Sequence, residues 1–397
     1  MLDGEDAMDG EMTLRERIIS TFKRAKVDRI VWQPRIYYWF YGNRLRNRLP
    51  EGYEDKSLLE SFYSNIQAYR GVVPDRYRDK SMLEIYDDLH ASPRYPQEVL
   101  GVNIYRLEID ESSGIEVSVI DKGEGEKITI TKTPVGVLRE VTRHGYHVEH
   151  PVKTPKDYKI MEYILDHTEF QFDDHAFEIA DREFGDNGVV QSFYPRSPLQ
   201  RLIINYMGFE RTVTALYRHW EETEEFMRVI EEWDDKMYRV LLGSPLEIFN
   251  FGENIDADLD SPKLFERYLA PYYNKRIEQI HARGKFCHIH MDGSIKPLLP
   301  LLREIEFDGI EAATPLPQGD VTLEELKRAL GDKILLDGIP ALLFLPQYPM
   351  ERFKRLAQKV LEIFSPNLIL GISDELPPTG DIERVKMVSE IVEDYKL

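Results

Sequence analysis

The sequence predicts a single α/β domain folded as a (β/α)8 TIM barrel, with an antiparallel hairpin and a helical insertion in its N-terminal half. Three observations carry this. Eight short β-rich runs recur along the 397 residues, helical patterns of ordinary length separate the last five, and one stretch of period-two patterning interrupts the alternation. Strand alternating with helix gives a parallel sheet whose strands are buried on both faces. Eight such units suggest closure, and a closed barrel carries its catalytic groups at the C-terminal strand ends and in the loops that follow.

Residues 1–12 are polar and acidic and are expected to form a disordered tail, so the domain proper spans 13–397. Thr13 to Lys26 reads as an amphipathic helix with apolar Ile18, Ile19 and Phe22. Strands are expected at 29–34, 99–107, 188–193, 247–252, 285–290, 309–314, 333–338 and 368–373, and helices at 261–284, 294–305, 322–331 and 350–364. Residues 114–143 alternate around the turn-forming Lys122-Gly123-Glu124-Gly125 and read as the hairpin. The region 155–183 reads as a long helical part of the same insertion, serving as a lid or an assembly surface.

Composition bounds the function. Apolar residues make up 42%, charged residues 31% and aromatics 11%, the profile of a globular protein. Lys and Arg number 51 against 71 Asp and Glu, and the resulting charge of −20 opposes binding to nucleic acid or to an anionic membrane. Cys287 is the one cysteine, so no internal disulfide forms and a reducing, cytoplasmic location is expected. The opening MLDGEDAMDGEM lacks the basic and apolar segments of a secretory signal, and no stretch approaches the roughly 18 apolar residues of a membrane span. The partner expected is a small molecule, with a homodimer left open.

In KFCHIHMDG side chains alternate across the strand, so His288 and His290 share the inward face while Cys287 and Ile289 point the other way. If the strand continues, Asp292 joins the histidines at the mouth. A His-x-His pair at a strand end grips a divalent metal such as zinc, because imidazole is a good ligand and the spacing brings both rings to one side. The alternative is two core histidines hydrogen-bonded to carboxylates, and residue type alone balances the two. The preceding run ends in Glu253, a fourth ligand or general base, and Asn254, a substrate contact. Asp258 or Asp260 is expected to cap the next helix, and Asp320 a later one. The last run ends in Asp374, a metal ligand or a solvated loop acid. Arg35, in an aromatic-rich loop, suits a carboxylate or a flat ligand, and Tyr194 and Arg196 lie within reach of a bound substrate. Asp337 faces either the pocket or a backbone amide.

Several phrases, among them TPVGVLRE (133–140), SPLQRLIINYMG (197–208), FGENID (251–256), HIHMDGSIKPLLPLL (288–302) and GISDELPPTGDIERVKMV (371–388), resemble the uroporphyrinogen decarboxylase superfamily, which also contains zinc- and corrinoid-linked methyltransferases. The resemblance runs from about residue 13 to the C-terminus and implies a TIM barrel. Decarboxylases of the family carry an Arg-Gln-Ala-Gly-Arg run after the first strand and a histidine near the last. Gln33-Pro34-Arg35 matches the run poorly here, and Asp374 stands at the histidine. The methyltransferases look like His-x-Cys with a later Cys around zinc; by position His288, His290 and Asp374 take those places. The resemblance therefore implies a metal-assisted methyltransferase or demethylase, with a small O- or N-methyl substrate and a corrinoid protein as acceptor. In it Glu253 is a ligand or base, and Asp292, Tyr194 and Arg196 orient substrate. The alternatives are a metal-free decarboxylase, with Arg35 or Arg196 on the carboxylate, and a ligand-binding barrel without chemistry.

Overall fold

The computed structural model describes residues 11–397. Six strands form one parallel sheet: Val31–Trp32, Ile248–Ile255, Phe286–Met291, Gly309–Glu311, Ile334–Pro340 and Leu368–Ser373. The last five neighbour one another in chain order, and Leu368–Ser373 pairs with Val31–Trp32, so first and last strands meet as a barrel requires. Short backbone contacts fill the remaining gap. Ser92 donates its N–H to the Trp32 carbonyl (2.8 Å), Gln191 to the Arg94 carbonyl (3.2 Å), and Phe193 bridges to Asn250 in parallel register.

The second barrel strand thus runs through 92–94 and not through the expected 99–107. Pro93 lies within it and Pro96 follows it, and proline withholds the N–H that a strand ladder needs. The expected run is split: Pro96–Val99 is helical, and Tyr105–Ile109 pairs antiparallel with Thr168–Phe172 outside the barrel. The helical region expected at 155–183 is likewise broken into helices Tyr158–Asp166 and Asp174–Phe184 by that strand. Residues 294–305 form two 3-10 turns, Lys296–Leu298 and Leu301–Glu304, instead of one helix, because Pro297 and Pro300 remove helical donors. The helices at Leu323–Leu330 and Met350–Phe364 stand where expected.

The stretch expected as a hairpin, 114–143, holds three strands of a four-stranded antiparallel sheet, Glu116–Gly123, Glu126–Thr133 and Gly136–Arg143, and Tyr146–Glu149 completes it. Glu124 and Gly125 at its first turn have φ of 51° and 74°, the pair of positive values that a type I′ turn needs. Buried Leu138 ties this sheet into the main core along with Ile160 and Met161, while Val117, Val119 and Val137 stay exposed. Of the expected tail, residues 1–10 lie outside the described residues. Glu11 pairs with Arg29 and Arg17, and Met12 donates its N–H to Asp28, so these two belong to the domain. No helix among the described residues is long and apolar enough to cross a membrane.

Candidate active site

Alternation along the barrel strands aims every second side chain inward, and here the upper interior is polar. Gln33, Arg94, Gln191, Asn250, His288, His290, Glu311, Asp337 and Ser373 come from all eight strands, and all are buried. Parallel register sets Asn250 beside His288 and Glu311 beside His290. Buried charge persists only when paired. Arg94 supplies the pairing, donating to Glu311 (2.5 Å), to Asp337 (2.9 Å) and to the side-chain oxygen of Gln33 (2.8 Å). Glu311 also accepts from the Tyr95 hydroxyl (2.7 Å) and from Asn250 (2.7 Å), and the neighbouring charge of Arg94, with His290, holds its carboxyl well below the usual range despite burial. Asp337 accepts the Ala312 N–H as well (3.1 Å), and burial pushes it up to about 6.

The two histidines part ways electrostatically. His288 is fully buried, bonds Gln191 through Nε2 (2.7 Å), and is pushed down to about 3 by burial, so it is neutral. Burial acts the same way on His290, but Asp374 and Glu311 outweigh it and raise His290 to about 9. Its Nδ1 donates to Glu311 Oε2 (3.2 Å), while its buried Nε2 has no hydrogen-bond partner and lies 4.0 Å from Asp374 Oδ1. Asp374 accepts from Arg35, whose guanidinium is also shared by Glu98 (2.5 Å) and Glu375 (2.9 Å). Burial pushes both Glu98 and Glu375 up.

A cavity of about 760 Å³ opens on this end of the barrel, and its wall includes His290, Asp374, Arg35, Tyr194, Arg196 and Asn254. The strand Ile248–Ile255 loses register between Phe251 and Ile255, and Asn254, at φ 56°, is re-aimed there to the cavity wall. Six of the nine residues singled out in the sequence therefore meet around one space. His288, Glu253 and Asp292 do not line it. Glu253 is buried and accepts from the Ser197 N–H (2.7 Å), the Ser197 hydroxyl and the Tyr273 hydroxyl (2.9 Å), which ties the third strand's loop to the fourth strand. Asp292 is partly buried, which raises its pKa, and it lies within the field of His290, Asp374 and Asp256.

The donors of His288, His290 and Asp374 do not gather at one point. Among the described residues the one set of three such groups within 4.8 Å of one another is His281, Cys287 and Asp308, at the N-terminal end of the strands. The nitrogens left without partners, His288 Nδ1 and His290 Nε2, face different carboxylates, Glu311 at 3.9 Å and Asp374 at 4.0 Å. Arg94 already fills the cationic place beside Glu311. The donor set around the two histidines does not fit a single metal ion.

Two capping expectations give way. Ser261 caps the helix after Asp260, and Asp260 is buried and accepts from Gln200 (2.6 Å). Thr322 caps its helix, while Asp320 accepts from Ser294, Ile295 and Lys296, fastening the loop after the histidine strand. The central residues missed in the sequence are Arg94 and Glu311. Glu311 had a signal, a lone acid in the apolar GIEAAT run; Arg94, between two prolines, had none.

A model of the family described as uroporphyrinogen decarboxylase (URO-D) matches residues 133–395. No curated protein matches the sequence. Among solved structures, a methyltransferase from Methanosarcina mazei is similar at a TM-score of 0.57 and 14% identity, over 97% of this chain and 99% of its own. A B12-independent methionine synthase from Shewanella sp. W3-18-1 in complex with selenomethionine gives 0.45 and 11%, over 92% and 96% of the two chains.

Proposed function

Because the chain belongs to the uroporphyrinogen decarboxylase family, we propose that it is a methyltransferase that takes a methyl group from the oxygen or nitrogen of a small compound and passes it to a corrinoid on a partner protein. The methyltransferase of Methanosarcina mazei, alike in fold along nearly the whole chain, supports this reading. The observation that carries it is His290, on the cavity wall with Nδ1 tied to Glu311 and Nε2 unpartnered. When a methyl group leaves a heteroatom, the bonding pair stays on that atom, which must gain a proton or a Lewis acid. Nε2–H of His290 supplies the proton: the methyl bond to the heteroatom breaks, the new O–H or N–H bond forms, and His290 becomes neutral. Asp374 and Glu311 keep the imidazolium ready, and Asp292 returns the proton from solvent. A proton here does what zinc would do on His288, His290 and Asp374.

With free cob(I)alamin as acceptor and a panel of O- and N-methyl compounds, His290→Gln is expected to lower methyl transfer about 10²- to 10⁴-fold, as loss of a general acid does. Wild-type activity is expected to survive chelators. Full activity in the variant, or loss on chelation that zinc reverses, would overturn the reading. Decarboxylation is the second reading, since His290 would equally protonate the carbon left by CO2; release of CO2 without methyl transfer would favour it. Against it, Glu98, Asp374 and Glu375 crowd the reacting end with acids, which repels a carboxylate there. The reading without chemistry gives no reason for an unpartnered acid on the wall of an open cavity.

A further inference from the structure

Three arginines line the cavity, and two are neutralised by the protein itself. Arg35 is shared by Glu98, Asp374 and Glu375, and Arg201 is paired with buried Asp234. Arg196 has no carboxylate within 4.0 Å among the described residues, in a chain whose net charge is −20. Its Nη2 donates to Asn254 Oδ1 (3.3 Å), and its Nε is buried with no acceptor. The acid whose field it feels most, Glu253, is occupied by Ser197 and Tyr273, and burial raises its pKa toward the neutral form. Burial also pulls the Arg196 guanidinium down, the direction expected of a cation stripped of water and given no anion. The Tyr194 hydroxyl, on the same wall, is buried without a partner too.

Strand order fixes where these groups stand. Arg196 follows the third barrel strand and Asn254 ends the fourth, whereas Asp374 ends the eighth and Arg35 follows the first. In a closed barrel the fourth and eighth strands are diametrically opposed, so the unpaired cation and the acid-rich end lie across the mouth from each other. Ile109, Met161, Ile164, Leu165, Phe193 and Trp233 give the same cavity an apolar, partly aromatic wall.

We infer that Arg196 is the centre of a built anion subsite, and that the small molecule taken by this cavity is a carboxylic acid with a flat apolar body. Its carboxylate forks onto Nε and Nη of Arg196, the arrangement for which a guanidinium is shaped. Its opposite end reaches His290 and Asp374. The carboxylate part stands on the cavity alone; that the opposite end carries the methyl group rests on the methyl-transfer reading above.

The test uses a probe with no methyl group to give. Benzoate and its neutral counterpart benzamide are titrated calorimetrically into the wild-type protein, Arg196→Gln and Arg196→Lys, with no methyl acceptor present. Benzoate is expected to bind wild type at least about tenfold tighter than benzamide, and Arg196→Gln to lose about 10- to 100-fold of benzoate affinity with benzamide unchanged. Arg196→Lys is expected to fall between, and an unchanged Tm in both variants certifies folding. Equal binding of the two probes, no binding of benzoate, or a preference that survives in Arg196→Gln would overturn the subsite. Because no reaction is read, that failure is distinct from a failure of methyl transfer.

Discussion

Arg94 is the residue on which the polar interior depends. Its guanidinium is 1% exposed and sits between two carboxylates that are fully buried, Glu311 and Asp337. Removing one partner of a buried ion pair leaves charge with no compensation, a loss of about 3–5 kcal/mol. Arg94→Met is therefore expected to lower the urea midpoint steeply, and adding Glu311→Gln to it to cost much less than the sum of the two single changes. His290 gives a prediction in pH. Its pKa is raised from the ordinary 6.5 to about 9, so the stability from its pairs with Asp374 and Glu311 is fully present below 6.5 and is lost as pH rises through 9. Methyl transfer that depends on its proton is expected to fall across the same upper limit, read as a single-proton descent in the pH–rate profile, and to lose that descent in His290→Gln. The histidine pair was legible in sequence because alternation on a strand is a strict period of two. What distinguishes the two rings was not, since Gln191, Glu311 and Asp374 come from three other strands.

Seven of the eight barrel strands were legible as elements, because strands buried on both faces read as compact apolar runs between helices. The remaining one, 92–94, is hidden by prolines and held by the Ser92 N–H on the Trp32 carbonyl, by its own Pro93 and Arg94 carbonyls, which accept from Gln33 and Gln191, and by the Arg94 side chain. Residues 114–143, read as one hairpin, hold three insertion strands, and the four-residue Tyr146–Glu149 lies beyond the expected bounds. Close approach of elements also sets where side chains cannot grow. On the last strand, a Cβ added at Gly371 would meet Asp337 Oδ1 at 2.3 Å, the Gln33 carbonyl oxygen at 2.9 Å and Asp337 Cα at 3.1 Å. Two of these atoms are backbone and cannot yield, and the third belongs to the Arg94 network. Gly371→Ala is expected to destabilise by about 1–3 kcal/mol, in the range of other overpacked sites, read as a fall in Tm.

At the scale of the molecule, charge is the dominant asymmetry. The 71 acids exceed the 51 bases by twenty. Surface pairs such as Arg228 with Glu225 and Arg78 with Asp75 are exposed and each contributes little, so salt removes little by screening them. The twenty unmatched negative charges repel one another in the compact state more than in the expanded chain, and salt relieves that repulsion. The Arg94 network is buried and is screened far less. The two screening effects therefore have opposite signs and unequal size, and Tm is expected to rise as NaCl increases from about 10 to about 150 mM, over which the Debye length shrinks from about 30 to about 8 Å. A Tm that falls over this range would mean that the surface pairs outweigh the excess charge. The same field opposes the approach of an anion from solution, so a carboxylate that nevertheless binds must be held by a contact inside the cavity, and Arg196 is the cation there that no carboxylate among the described residues claims.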